Sequence, residues 1–128
     1  MIAIMGDVDA YKNVEQIYTQ NVAEGHMDES IKDRTIASTQ AVYPNVPREA
    51  RMNIAAFDAG LVSMQLMLIA KEKGYDTSTM GGFDKVKFAE RFGLPENIFP
   101  IVLIALGKAA APAYGSSRLP LAEIVDFI

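Results

Sequence analysis

The sequence contains no cysteine and no tryptophan, and it has a single histidine, His26. Without cysteine the chain cannot form disulfides, thiolate metal sites or a cysteine nucleophile. One histidine cannot build a multi-histidine metal site. His26 lies in the polar stretch AEGHMDES, which is typical of a solvated loop. We therefore expect no metal site, and the lack of cysteine fits a reducing cytoplasmic compartment.

Clusters of positive charge and long apolar runs are also scarce. The net charge of −4 and the absence of a basic run argue against a nucleic-acid partner. The first residues, MIAIMGDVD, lack the pattern of a secretory signal. The most apolar segment, Ile54 to Ala70, contains Asp58, Ser63 and Gln65, and is too short and polar for a membrane span. We expect a soluble cytoplasmic protein with no membrane partner.

The hydrophobic pattern predicts one domain, 1–128, of the α+β class with a small central sheet flanked by helices. No repeat or low-complexity tract divides the chain. IAIM, at 2–5, is typical of a buried strand, and FPIVLIALG, at 99–107, of a central strand buried on both faces. Helical spacing covers 11–22, 28–42 and 85–92.

The longest predicted helix runs from about Pro47 to Lys73 and is ended by Gly74. It is apolar nearly all round, which predicts burial on most sides. A helix of this length would extend about 40 Å, at about 1.5 Å per residue, and a domain this small could not bury it alone. We therefore expect a buried helix at a homodimer interface.

Two stripes follow this helix. Small residues form a ridge, which indicates either ordinary core packing or close approach of another backbone. Polar residues recur every seven positions and need a partner, either a second subunit or a ligand. The ridge contains Ala56, Ala59, Gly60, Ser63 and Ala70, and the polar line contains Arg51, Asp58, Gln65 and Glu72.

A glycine pair, Gly81 and Gly82, lies in the stretch TMGGFD directly before a helix that Asp84 can cap. One interpretation is a tight turn that requires positive φ. The other is a ligand site, because exposed amides at a positive helix end bind an anion or an electron-rich ring. The sequence leaves both interpretations open.

A second candidate, GSSRLP at 115–120, combines hydroxyl groups with a guanidinium. That set suits a phosphate, and the alternative is a solvated loop arginine. No nucleophile, base and orienting group can be picked out, so we assign no catalytic side chain. Chemistry supplied by a cofactor needs only binding and orientation from the protein.

These features, in this order, resemble the middle and C-terminal part of the FMN-dependent nitroreductase family. The resemblance lies in the stretches FDAGLVSMQLMLIAKEKGYDTSTMGGFD, FGLPENIFPIVLIALGK and SSRLP. The resemblance implies a nitroreductase-like fold, a homodimer with FMN at its interface, and transfer of a hydride from NADH or NADPH to nitroaromatic or quinone-like small-molecule acceptors. It also implies a C-terminal extension that reaches across to the other subunit.

The resemblance implies FMN-binding residues at Thr79, Met80, Gly81, Gly82, Ser116 and Arg118. The amide of Gly81 would face flavin N5, the amide of Gly82 would face O4, and Arg118 would contact the phosphate. Ser116 stands where many members carry a basic residue, which weakens neutralisation of the phosphate.

The family's N-terminal region, with its arginine- and serine-containing phosphate motif, has no counterpart in this sequence. An alternative is therefore a truncated, non-catalytic homologue, or one half of a split enzyme that binds FMN poorly without a separately encoded N-terminal half.

Overall fold

The structure is a computed structural model that describes every residue from Met1 to Ile128. It contains four α-helices, three β-strands and three short 3₁₀ turns. The helices are α1 (Val14–Ala23), α2 (Glu29–Val42), α3 (Arg48–Glu72) and α4 (Lys85–Phe92). The strands are β1 (Ile2–Asp7), β2 (Asp76–Met80) and β3 (Ile98–Gly107). The 3₁₀ turns are Ala10–Asn13, Tyr43–Asn45 and Leu121–Glu123.

The three strands form one antiparallel sheet in the order β1-β3-β2, so β3 is the central strand, as predicted. Pro100 lies within β3 although proline has no amide to donate to a neighbouring strand. The pairing of β1 with β3 shifts between Ile4 and Met5, and Met5 is the partner of Pro100. The proline is thus accommodated beside a bulge, where proline is tolerated in a sheet.

The two faces of β3 are covered unequally. Neighbouring side chains on a strand point to opposite faces. Ile104 is completely buried, whereas Leu103 is only half-buried and lines an open groove with residues of α4. The prediction that β3 is buried on both faces is therefore wrong for this chain, because the face that carries Leu103 is only partly covered.

Helix α3 packs against the sheet through its small residues. Ala59, Ser63 and Ala70 are its buried residues, and the Ser63 hydroxyl donates to the Ala59 carbonyl at 2.6 Å. These three residues of the ridge therefore allow the chain's own sheet to pack closely against α3. Of the two interpretations of the ridge, this is ordinary core packing. Ala56 and Gly60 are exposed.

The rest of α3 is far more exposed than the sequence predicts. Phe57 is 67% exposed, Leu61 58% and Leu68 62%. The expectation of burial on most sides is wrong within a single chain, because the other elements of the chain cover only one face of this helix. A long apolar surface is left without a partner.

Helix α3 also has the length and composition of a membrane-crossing helix, which the shorter segment Ile54 to Ala70 did not indicate. Length and composition alone do not place it in lipid. It packs along an open antiparallel sheet, and open sheet edges exposed to lipid leave backbone groups without partners.

The polar line on α3 is partnered at one position. Arg51 forms an ion pair with Asp9 at 3.2 Å, and its guanidinium lies 5.3 Å from the centre of the Tyr11 ring. This joins the start of α3 to the turn after β1. The other three positions of the line are exposed.

The helix ends follow the sequence signals closely. Asp28 is the N-cap of α2 as predicted, although its side chain makes no capping hydrogen bond. The sequence predicts Pro47 in the first turn of the long helix, and the structure places it just before that turn, as the N-cap of α3. Gly74 and Gly93 follow α3 and α4 with φ of 76° and 61°, a left-handed conformation that favours glycine.

Candidate functional site

The glycine pair lies at the end of β2, an edge strand, immediately before α4. Thr79 and Met80 are the last residues of that strand and pair with Ile104 and Leu103 of β3. All four residues from Thr79 to Gly82 are exposed. The sheet therefore holds this stretch at its open edge, with its backbone accessible from outside the chain.

Neither glycine has the backbone conformation that requires glycine. The glycines with positive φ are Gly25, Gly74 and Gly93, and Gly81 and Gly82 are not among them. A Cβ built on Gly81 or Gly82 would meet nothing within 4 Å. The interpretation as a tight turn with positive φ is wrong, and no contact within the chain explains the pair.

The amides of Gly81 and Gly82 donate no hydrogen bond to the rest of the chain. They lie just before the N-terminus of α4, where backbone amides carry partial positive charge. The arrangement therefore offers two free donors on bare backbone, with room above each glycine for a group that approaches closely.

Asp84 fixes where α4 begins. Its carboxylate accepts a hydrogen bond from the Lys87 amide at 3.0 Å, and the Lys87 ammonium lies 3.2 Å away. The bond from the Lys87 amide, followed by that from the Lys87 side chain, holds the pKa of Asp84 below its usual value. Asp84, two residues beyond Gly82, is thus ionised at neutral pH and satisfies the Lys87 amide in the first turn of α4.

An apolar groove adjoins the glycine pair. Phe83, Phe88 and Phe92 form a chain of contacts, with ring centres 5.4 Å and then 4.6 Å apart. With Leu103 these rings line an open groove of about 700 Å³. The sequence interpretation missed this groove, and the spacing of four between Phe88 and Phe92 was the available signal.

Ser116 and Arg118 lie in the segment after β3, which is exposed along its whole length. Arg118 makes a single hydrogen bond, from its guanidinium to the Ser117 carbonyl at 2.8 Å. The segment leaves β3 beside Asp76, at the opposite end of β2 from the glycines. The two ends of β2, Asp76 and Met80, are four residue steps apart, about 13 Å at about 3.3 Å per residue.

A single chain therefore contains both candidate groups but does not bring them into contact. The predicted irregular connection at 108–120 is confirmed, and the only regular structure beyond it is the turn Leu121–Glu123.

Comparison with known proteins gives a consistent result. The sequence profile described as "Nitroreductase family" matches residues 7–108. The chain is 41% identical, over 99% of its length, to YdgI of Bacillus subtilis (strain 168), which carries the provisional name NAD(P)H nitroreductase.

Two crystal structures share the fold closely. One is a provisionally described NAD(P)H:FMN oxidoreductase from Staphylococcus epidermidis ATCC 12228, with a TM-score of 0.94 and 39% identity over 98% of this chain. The other is a provisionally described nitroreductase in complex with FMN from Exiguobacterium sibiricum 255-15, with a TM-score of 0.92 and 41% identity over 98% of this chain. The chain spans 61% of the length of YdgI and 60% of each of these two structures.

Proposed function

The chain belongs to the nitroreductase family, and we propose that it provides one wall of an FMN site in an NAD(P)H-dependent oxidoreductase. One observation carries this proposal. Gly81 and Gly82 have free amides, open space above them and no conformational need for glycine. Residues without side chains, at a position where the chain itself does not require them, are best explained by a flat ligand that lies against the backbone.

The residues at this position fit the flavin ring. The two free amides would donate hydrogen bonds to the electron-rich edge of the ring, and the N-terminus of α4 would favour negative charge there. A side chain on either glycine would fill the space that the ring needs. Thr79 and Met80 lie on the same exposed strand end and would border the ring.

The phosphate of FMN would be held by the segment after β3. Arg118 is exposed and makes no ion pair in the chain, so its guanidinium is free to bind a phosphate in a planar fork. Ser116 would add a hydroxyl donor on the same segment. The glycine end of β2 would then bind the ring of the elongated cofactor, and the segment that leaves the sheet beside Asp76 would bind its phosphate.

FMN, when bound, supplies the redox chemistry, accepting a hydride from NADH or NADPH and passing electrons to a nitroaromatic or quinone-like acceptor. The chain contributes binding and orientation: the glycine amides hold the ring edge, and Arg118 holds the phosphate. No side chain of this chain is assigned a proton-transfer role.

The exposed face of α3 supports a homodimer. Phe57, Leu61 and Leu68 lie on one helix and are each more than half exposed, and apolar surface of this kind marks an interface. We propose that a second copy packs on this face in a cytoplasmic enzyme without membrane or nucleic-acid partners.

The test is an FMN titration of the purified chain followed by visible absorbance and flavin fluorescence. We expect a saturable complex, and we expect NADH or NADPH to bleach its absorbance and a quinone or nitroaromatic to restore it. A chain that remains colourless at saturating FMN and oxidises no NAD(P)H would contradict the proposal. Recovery of FMN binding only after a second polypeptide is added would instead support the split-enzyme alternative.

A further inference from the structure

The segment that carries Arg118 is tied to the body of the protein at its first two residues. Lys108 and Ala109 directly follow the last residue of β3. The Lys108 ammonium donates to the Gly74 carbonyl and lies 4.8 Å from the centre of the Tyr75 ring. The Ala109 amide donates to the Asp76 carboxylate at 3.1 Å.

Asp76 is suited to this contact because its other oxygen is already engaged. That oxygen accepts a hydrogen bond from the Lys71 ammonium, at the end of α3, at 2.9 Å. The bond from Lys71, and then the bond from the Ala109 amide, hold the pKa of Asp76 below its usual value. The carboxylate thus links α3, β2 and the start of the C-terminal segment. We use the term exit clasp for the bond between Asp76 and the Ala109 amide together with the contacts of Lys108 with Gly74 and Tyr75.

Beyond Ala109, no side chain of the segment bonds back to the helices or the sheet. Its hydrogen bonds are local, such as those of the turn Leu121–Glu123 and that of Arg118 to Ser117. The direction in which the segment leaves the sheet is therefore set at the exit clasp.

We propose that Asp76 and Lys108 are positioning residues that aim the C-terminal segment so that Arg118 reaches the phosphate of the bound flavin. This inference rests on the proposed function. Arg118 is nine positions after Ala109, a reach of at most about 30 Å at about 3.3 Å per residue. A segment of this length with a free start samples many directions, and fixing its start lowers the ordering cost of placing Arg118.

If the exit clasp positions Arg118, its loss should weaken binding only at the phosphate end of the ligand. FMN and riboflavin share the ring, but only FMN has the phosphate. Loss of the clasp should therefore weaken FMN binding and leave riboflavin binding unchanged. General damage to the fold or to the glycine pair would weaken both ligands together.

The experiment compares dissociation constants for FMN and riboflavin in the wild type, Asp76→Ala, Lys108→Met and Arg118→Gln. We expect each substitution to raise the Kd for FMN by about tenfold or more, since bonds to charged groups are among the stronger ones. The Kd for riboflavin should not change. Lys71→Ala removes only the bond to the other Asp76 oxygen and leaves the Ala109 contact in place, so it should raise the Kd for FMN less than Asp76→Ala does.

Hydrogen exchange of the Ala109 amide provides a readout that needs no ligand. Asp76→Ala should speed exchange at Ala109, while a folded sheet keeps the amides of β3 protected. Equal losses for FMN and riboflavin, or no loss for either, would overturn the positioning role alone. A wild type that binds neither flavin would overturn the proposed function as well.

Discussion

Asp84 accepts a hydrogen bond from the amide of Lys87 at 3.0 Å and so caps the helix that begins directly after the glycine pair. Helix α4 is the only α-helix in the chain whose N-cap side chain makes such a bond. The cap fixes the first turn of α4, and the pairing of Met80 with Leu103 fixes the end of β2. Gly81 and Gly82 are held between these two anchors, which gives their free amides a defined position.

Removing this cap should destabilise α4. We expect Asp84→Ala to lower the melting temperature by a few degrees, because a helix amide loses its acceptor. Asp28→Ala is the matched control, since Asp28 is also an N-cap residue but its side chain makes no capping bond. Circular dichroism melts of the two variants test this, and equal shifts would contradict the account.

Acidification should weaken the fold through the same carboxylates. The pKa values of Asp76 and Asp84 are lowered by hydrogen bonds in the folded chain. A lowered pKa in the folded state contributes stability that is fully present above the unfolded value of about 3.9 and is lost as pH falls through the folded pKa. We expect the urea concentration at the unfolding midpoint to decrease when the pH is lowered below about 4. This decrease should be less steep in Asp84→Asn than in the wild type. Parallel pH profiles for variant and wild type would contradict this.

The close packing of α3 on the sheet should reject larger side chains. Ser63 is buried at 6% exposure, so Ser63→Leu should lower the free energy of unfolding by about 1–3 kcal/mol through overpacking. Ile17→Leu, on α1 at a position that is 51% exposed and outside the proposed interface, should shift that free energy by less than about 0.5 kcal/mol. Urea unfolding measures both, and a tolerated Ser63→Leu would show that the helix does not approach the sheet as closely as described.

The exposed face of α3 should mediate self-association. We expect wild-type chain to elute as a dimer in size-exclusion chromatography with light scattering, and Phe57→Glu with Leu61→Glu to elute as a monomer, because charges on this face cannot be buried without partners. Val42→Glu, at an exposed apolar position on α2, should leave the dimer intact. A wild type that is monomeric at every concentration would refute this interface.

Most of the fold could be predicted from local sequence signals. The bounds of α4 follow from Asp84 and Gly93, since a capping carboxylate and a left-handed glycine act within one turn of the helix. The central position of β3 follows from its continuous run of branched apolar residues. These features depend on neighbouring residues and not on distant parts of the chain.

Burial could not be predicted in the same way, because hydrophobicity does not say which partner covers a surface. The sequence predicts that α3 is buried, yet a single chain covers little beyond Ala59, Ser63 and Ala70. For the glycine pair, the information missing from the sequence is the backbone conformation and the surrounding space. Its φ values rule out a turn that requires positive φ, and the empty space above it is consistent with the proposed ligand site. Neither quantity can be obtained from the letters of TMGGFD.

The central claim is that Gly81 and Gly82 are glycine for the sake of a bound flavin, and an FMN titration of Gly82→Ala tests it most directly. The variant should fold with a free energy of unfolding equal to the wild type or higher by up to about 1 kcal/mol, because alanine restricts the unfolded chain. Its Kd for FMN should rise by about tenfold or more. Gly93→Ala, at φ of 61°, should show the reverse pattern, with a loss of stability of about 1 kcal/mol and unchanged FMN affinity in the folded protein. Undiminished FMN affinity in Gly82→Ala would contradict the account.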